Sequence, residues 1–133
     1  MEDAERLQRI EWILAEIQEL LDEGAVIIVE GMKDRFALNE LGISGQIMLA
    51  SHPPLLCFAE EISRKADTVI ILTDWDSKGN EMANKIFKYL RASGTKPNAR
   101  LRGRLKKLVQ KEIKEVENID TYIQTLRHKV CRC

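Results

Sequence analysis

The stretch Thr68-Val69-Ile70-Ile71-Leu72-Thr73-Asp74-Trp75-Asp76-Ser77-Lys78-Gly79 decides the fold. Its first half is an unbroken apolar and β-branched run, the signature of a strand covered on both faces, as in a parallel sheet. Its second half turns abruptly to acids, and a helical pattern from about Asn80 to Arg91, stopped by Gly94, follows. Upstream, Ala25-Val26-Ile27-Ile28-Val29 has the same character and ends as abruptly, in Glu30-Gly31. Two buried strands that run directly into carboxylates are the framework on which the other segments are placed.

Outward from these strands, residues 1–23 read as a helix, with Leu7, Ile10, Ile13, Leu14, Ile17, Leu20 and Leu21 at three- and four-residue steps and Gly24 as its stop. Between the strands, Asp34–Leu41 reads as a short helix, Gln46–Ala50 as a strand, His52-Pro53-Pro54 as a break and Leu55–Lys65 as a further helix. Pro97–Leu101 suggests a short last strand. Helices over about Gly103–Val116 and Asp120–His128 close the chain, Asp120 being a candidate cap. Strands alternating with helices predict an α/β fold, a three-layer sandwich around a mostly parallel sheet of about four strands. The expected organisation is a single domain, with a core over residues 24–101 and the helices of residues 1–23 and 102–128 packed on it.

Composition narrows the class. The 133 residues are 44% hydrophobic and 32% charged, with no net charge, which excludes low-complexity polymers. No apolar run reaches the roughly 18 residues of a membrane span, and the acidic N-terminal stretch is unlike a signal peptide, so a soluble cytoplasmic protein is expected. Three cysteines, two of them in the terminal Cys131-x-Cys133, suggest reduced thiols rather than a disulfide framework, with Cys57 in the core. Charge is uneven: residues 1–23 carry eight acids and two bases, whereas 96–114 carry eight bases and one acid. Such polarity suits a polyanionic partner, or two ends lying side by side.

Open α/β sheets place their sites outside the carboxyl ends of the strands, near the switch in strand order. Glu30, Asp74 and Asp76 fall there, and alternation puts Asp74 and Asp76 on one side of an extended segment. Three converging carboxylates with no Arg or Lys built into Asp74-x-Asp76 would repel one another, and a divalent cation relieves that repulsion; hard oxygen donors suit Mg²⁺ held partly through water, with Mn²⁺ as a substitute. Gly79 permits a close turn before the helix. Each acid also has a plainer reading, as a solvated or helix-capping residue. A calcium-binding loop starting at Asp74 fails because its twelfth position is Lys85 rather than Glu. A haloacid-dehalogenase-type phosphatase expects its acid pair on the first strand, as does a response-regulator receiver.

Val29-Glu30-Gly31 with Asp34, coupled to Asp74-x-Asp76-x-x-Gly79, resembles the Toprim domain, shared by topoisomerases, bacterial-type primases, old-family nucleases and the maturase of 5S ribosomal RNA. The resemblance spans residues 24–101 and is nearest to small stand-alone Toprim proteins. It implies Glu30 as general acid/base or metal ligand, and Asp74 and Asp76 as ligands of Mg²⁺. Lys33 lies near the lysine of maturase-like members, but Met32 stands in that lysine's place, so no catalytic role is carried over. Tyr89 and Tyr122 lie within helical patterns, so strand passage is not expected.

A second feature is basic. Arg100, Arg104, Lys107, Lys111 and Lys114 recur at four, three, four and three residues, opposite the apolar face of Leu101, Leu105, Leu108, Val109, Ile113 and Val116. Five cations on one face could follow the phosphates of RNA or DNA, or could be a solvated face paired with the acidic first helix. Among aromatics, Trp75 in the acidic loop is the one placed to stack a base, whereas Trp12 suits core or anchoring use. His52 is a loop residue near the acids and His128 a surface residue. The expected function is Mg²⁺-dependent chemistry on nucleic-acid phosphodiesters, of nuclease or nucleotidyl-transfer type. The alternatives are a non-catalytic nucleic-acid-binding or scaffold protein using the basic helix, and a small-molecule phosphatase. An exposed apolar stripe on a terminal helix would suit a protein partner.

Overall fold

The computed structural model describes residues 1–51 and 54–131; His52 and Cys133 lie outside the described residues. The elements are α1 (Asp3–Asp22), β1 (Val26–Val29), α2 (Met32–Glu40), β2 (Gln46–Leu49), α3 (Leu55–Ser63), β3 (Thr68–Ile71), α4 (Ser77–Ala92), β4 (Lys96–Asn98), α5 (Arg100–Val109), a 3₁₀ turn (Val116–Asn118) and α6 (Ile119–Val130). The four strands form one parallel sheet in the order β2-β1-β3-β4.

Alternation along the two central strands builds both cores. Val26 and Ile28 of β1, with Val69 and Ile71 of β3, face one way and pack with Ala59 and Ile62 of α3 and Ala83, Ile86 and Leu90 of α4. Ile27, Val29, Ile70 and Leu72 face the other way, against α1, α2, α5 and α6. These eight strand side chains are inaccessible to water, which is why both runs lack polar residues. The chain moves from β1 to β2 on one side and then crosses to β3 on the other, so strand order reverses between β1 and β3. Their register, Ile28 opposite Ile71 with the Leu72 N–H donating to the Ile28 carbonyl at 2.8 Å, places the two carboxyl ends side by side.

Helix α1 buries Leu7, Ile10, Ile13, Leu14, Ile17 and Leu21, and Gly24, at φ +102°, makes the left-handed exit into β1. Its stripe packs on α5 and α6, so the terminal helices cover one another's apolar faces instead of presenting them to a partner. Trp12 points away from this stripe and is 59% exposed, which corrects its expected core role. Cys57 is likewise exposed, because α3 buries Ala59 and Ile62 instead.

Three further boundaries differ from the sequence pattern. Helix α5 ends at Val109 rather than continuing to Val116, so Lys111 and Lys114 lie beyond it and do not extend the face of Arg100, Arg104 and Lys107. Helix α6 is capped at Asn118, leaving Asp120 inside its first turn. Helix α4 begins at Ser77, three positions before the pattern indicates, because the Asp76 carboxylate accepts the Gly79 N–H at 2.7 Å as its N-cap.

Adjacent residues of α1 give a direct test of this packing. Ile13→Ala should cost about 2–5 kcal/mol through transfer and cavity terms. Trp12→Gln should stay within about 0.5 kcal/mol of wild type. Urea denaturation of both variants checks this, and a large loss in Trp12→Gln would contradict the helix orientation.

Candidate metal centre

Glu30 and Asp74 meet at the junction of β1 and β3. The Asp74 backbone N–H donates to Glu30 Oε2 at 2.8 Å, a direct consequence of the parallel register. Asp74 turns its own Oδ1 to accept the Val116 N–H at 2.8 Å. The same loop is fastened twice more to the segment after α5, by the Trp75 N–H donating to the Lys114 carbonyl at 3.1 Å and Trp75 Nε1 donating to the Ile113 carbonyl at 2.6 Å. These bonds explain why α5 stops early: the chain leaves the helix to satisfy the acidic loop's polar groups. They also bury Trp75, which is therefore an anchor and unavailable to stack a base.

Helix α2 starts directly after Glu30. Asp34, its third residue, reaches back to accept the Gly31 N–H at 3.0 Å, half of a capping box, and is only 6% exposed. Asp76 is exposed and occupied as the α4 cap, so it stands at the site's edge instead of alongside Asp74. A cleft of about 620 Å³ opens here, lined by Glu30, Asp34, Asp74, Glu115 and Glu117 together with Lys33 and Lys78; Asp76 is not among its lining residues. The arrangement thus joins two of the three expected acids directly, and adds Asp34, Glu115 and Glu117.

Charge accumulates accordingly. Burial, and next to it the charges of Asp34, Glu30 and Asp76, push the Asp74 carboxyl up to about 7 against the relief of its bond from Val116. Burial also raises Asp34, and the neighbouring Glu117 raises Glu115. Beneath the carboxylates lies Arg102, 9% exposed. Its Nε donates to the Thr73 carbonyl at 2.9 Å, and Nη2 to the Asp74 carbonyl at 2.5 Å and Asn80 Oδ1 at 2.7 Å. Burial lowers its pKa, with Glu30, Asp74 and Asp76 opposing. Arg102 therefore fixes the backbone of the acidic loop while its donors leave the carboxylate oxygens unbonded. Sequence spacing contained its signal: positions 102, 105 and 109 share the buried face of α5, where a charge needs a partner. Glu115 and Glu117 carried only a short alternation.

The donor set is chemically suited to a hard cation, being all carboxylate oxygen. Glu30, Asp34, Asp74 and Asp76 each accept a backbone N–H on one carboxylate oxygen. Among the described residues there is no group of three Asp, Glu, His or Cys side chains placed to hold a metal ion. Mg²⁺ requires none, because it keeps several waters and uses one or two carboxylates.

The basic residues divide. Arg100 Nη2 and Arg104 Nη1 both contact Glu16 of α1, at 2.6 and 3.2 Å, and lower its pKa. The acidic and basic ends of the chain do lie together. Lys107, Lys111 and Lys114 remain exposed, Lys114 donating to the Gln110 carbonyl at 3.0 Å.

Two variants test this geometry. A carboxyl raised in the fold contributes stability in full below its ordinary range, and loses it as pH rises through about 7. Asp74→Asn, which keeps an acceptor for Val116 but carries no charge, should melt higher than wild type at pH 8 in chelator, the advantage disappearing near pH 4. A lower melting temperature at pH 8 would refute the charge argument. A Cβ on Gly79 would overlap the Asp74 carbonyl, so Gly79→Ala should cost about 2 kcal/mol or more, measured by the same denaturation.

A family model of the Toprim domain matches residues 25–116. A UPF0292 protein of Methanosarcina barkeri is 45% identical over 128 residues, spanning 96% of this chain and 90% of the relative. A UPF0292 protein of Thermococcus sibiricus is 37% identical over 129 residues, 97% of this chain and 98% of the relative. A solved structure of a protein from Aquifex aeolicus superposes with a TM-score of 0.69 at 26% identity, over 81% of this chain and 95% of that one. Toprim domains generally bind Mg²⁺, and the match supports a metal-dependent, nucleic-acid-related function. No helix of the described residues is long and apolar enough to cross a membrane. By sequence match and by fold, the chain belongs to the Toprim-domain family, among the small UPF0292 proteins.

Proposed function

We propose that this protein holds Mg²⁺, or Mn²⁺ in its place, at Glu30 and Asp74 with Asp76 at the rim, and acts on nucleic-acid phosphodiester bonds as a nuclease or nucleotidyl transferase. The observation that carries the reading is the Glu30–Asp74 junction at the strand-order switch, with the Asp74 carboxyl pushed up to about 7 by burial and then by the neighbouring carboxylates of Asp34, Glu30 and Asp76. Bound there, the cation would offset negative charge developing on the phosphoryl group. The chain's own groups supply the rest. Glu30, with one oxygen fixed by the Asp74 N–H, keeps the other to take a proton from an attacking hydroxyl or return it to a departing oxygen. Lys33 and Lys78 line the same cleft and suit the phosphate oxygens on either side.

A second reading rests on the exposed lysines. Lys107, Lys111 and Lys114 lie at and beyond the end of α5, clear of Glu16, and would bind a polyanion without chemistry.

Thermal melting with 10 mM Mg²⁺ tests the first reading. Wild type should gain several degrees, since ligand at about 100 Kd adds about 2.7 kcal/mol, and Asp74→Asn should gain none. Cleavage of structured RNA or DNA should fall at least about 100-fold in both Asp74→Asn and Glu30→Gln. Full cleavage by Asp74→Asn would overturn the assignment. Binding without cleavage that is lost in Lys107→Gln/Lys111→Gln would favour the second reading.

A further inference from the structure

Helix α2 exposes two large apolar side chains directly beside the acidic cleft. Met32 is 68% and Phe36 66% exposed, and their four-residue spacing puts them on one helical face. They form the floor of a hollow of about 420 Å³ that also involves Lys33 and Glu117. Met32, Lys33 and Glu117 line the acidic cleft as well, so the hollow and the cleft are one continuous groove. Its volume is within the roughly 300–1,000 Å³ of small-ligand sites. The groove therefore changes in character along its length. At one end are carboxylates suited to a cation and two lysines suited to phosphate; a rise of about 6 Å along the helix separates Met32 from Phe36 at the other, apolar end.

The chemistry that matches this sequence of surfaces is a flat, largely apolar ring carried on an anionic backbone. We propose that Met32 and Phe36 form a stacking shelf for an unpaired nucleobase adjacent to the phosphate held at the acids, which makes the substrate a single-stranded polynucleotide or an unpaired segment of one. This deepens the functional reading above and depends on it. Phe36 supplies the stacking face, Met32 a deformable apolar floor, Lys33 a cation beside the backbone, and Glu117 an acceptor for an exocyclic amine. A base inside a duplex already has both faces stacked and could not use the shelf.

The test measures what the base adds. Fluorescence anisotropy in Mg²⁺ compares an oligothymidylate eight-mer with an abasic oligomer of the same length, against wild type, Phe36→Ala and Phe36→Trp. Wild type should prefer the base-bearing strand by about fivefold or more. Phe36→Ala should bind both strands equally, and Phe36→Trp should keep or increase the preference. The Mg²⁺ melting shift, read on the same variants, separates the two levels of the argument. A missing shift in wild type strikes the functional reading itself. With the shift intact, an unchanged preference in Phe36→Ala, or none in wild type, overturns the shelf alone. A wild-type dimer that Phe36→Ala converts to monomer would assign the face to a second copy of this chain and overturn it too.

Discussion

The arrangement depends on the parallel pairing of β1 with β3. Because that register brings both strands to their carboxyl ends together, the amide of Asp74 has an acceptor in Glu30 rather than in a further strand. A sheet hydrogen bond is in effect replaced by a carboxylate. The substitution satisfies a backbone donor and at the same time fixes a charge at the edge of the apolar layer. A shift of one residue in either strand would turn every side chain to the opposite layer and break the packing of both cores, so the position of the acids is set by the same register as the core.

The charge so placed is balanced only in part. Arg102 lies close enough to be felt by Glu30, Asp74 and Asp76, but its three bonds go to two carbonyls and an amide. A guanidinium paired directly to a carboxylate would hold that carboxyl low and occupy its oxygens. Directed instead at the backbone, it rigidifies the loop and leaves Asp74 high. A proton or a divalent cation can then relieve the same excess of charge, and the two compete for one group.

What could be read from the sequence follows the same division. The two apolar runs, the acids after them, the parallel α/β sheet and the family resemblance were all carried by local patterns, because strand burial and strand ends are written in consecutive residues. Glu115, Glu117 and the bonding partners of Arg102 were not, because they depend on long-range bonds between the Asp74 loop and residues 113–116 or α5; Asp34, held locally by the Gly31 N–H, was within reach of the local pattern. Trp12 and Trp75 exchanged their expected surroundings for a comparable reason. A tryptophan's side depends on the face of its helix or on a partner for its indole N–H, and composition records neither.

The basic segment shows how a periodic pattern can mislead when backbone groups elsewhere need partners. Regular spacing from Arg100 to Lys114 suggests one helix and one cationic face, and helix propensity alone offers no stop at Val109. Continuing the helix would have left the Trp75 N–H, its indole N–H and one Asp74 oxygen without the partners that residues 113–116 provide. An unsatisfied buried donor costs about 1–3 kcal/mol, whereas one further helical turn on the surface contributes little. The chain accordingly ends the helix and lashes the acidic loop. Arg100 and Arg104 are drawn to Glu16, and Glu115 and Glu117 are delivered into the cleft. The region that reads as a phosphate-binding stripe is thus, in its first duty, the brace of the carboxylate site.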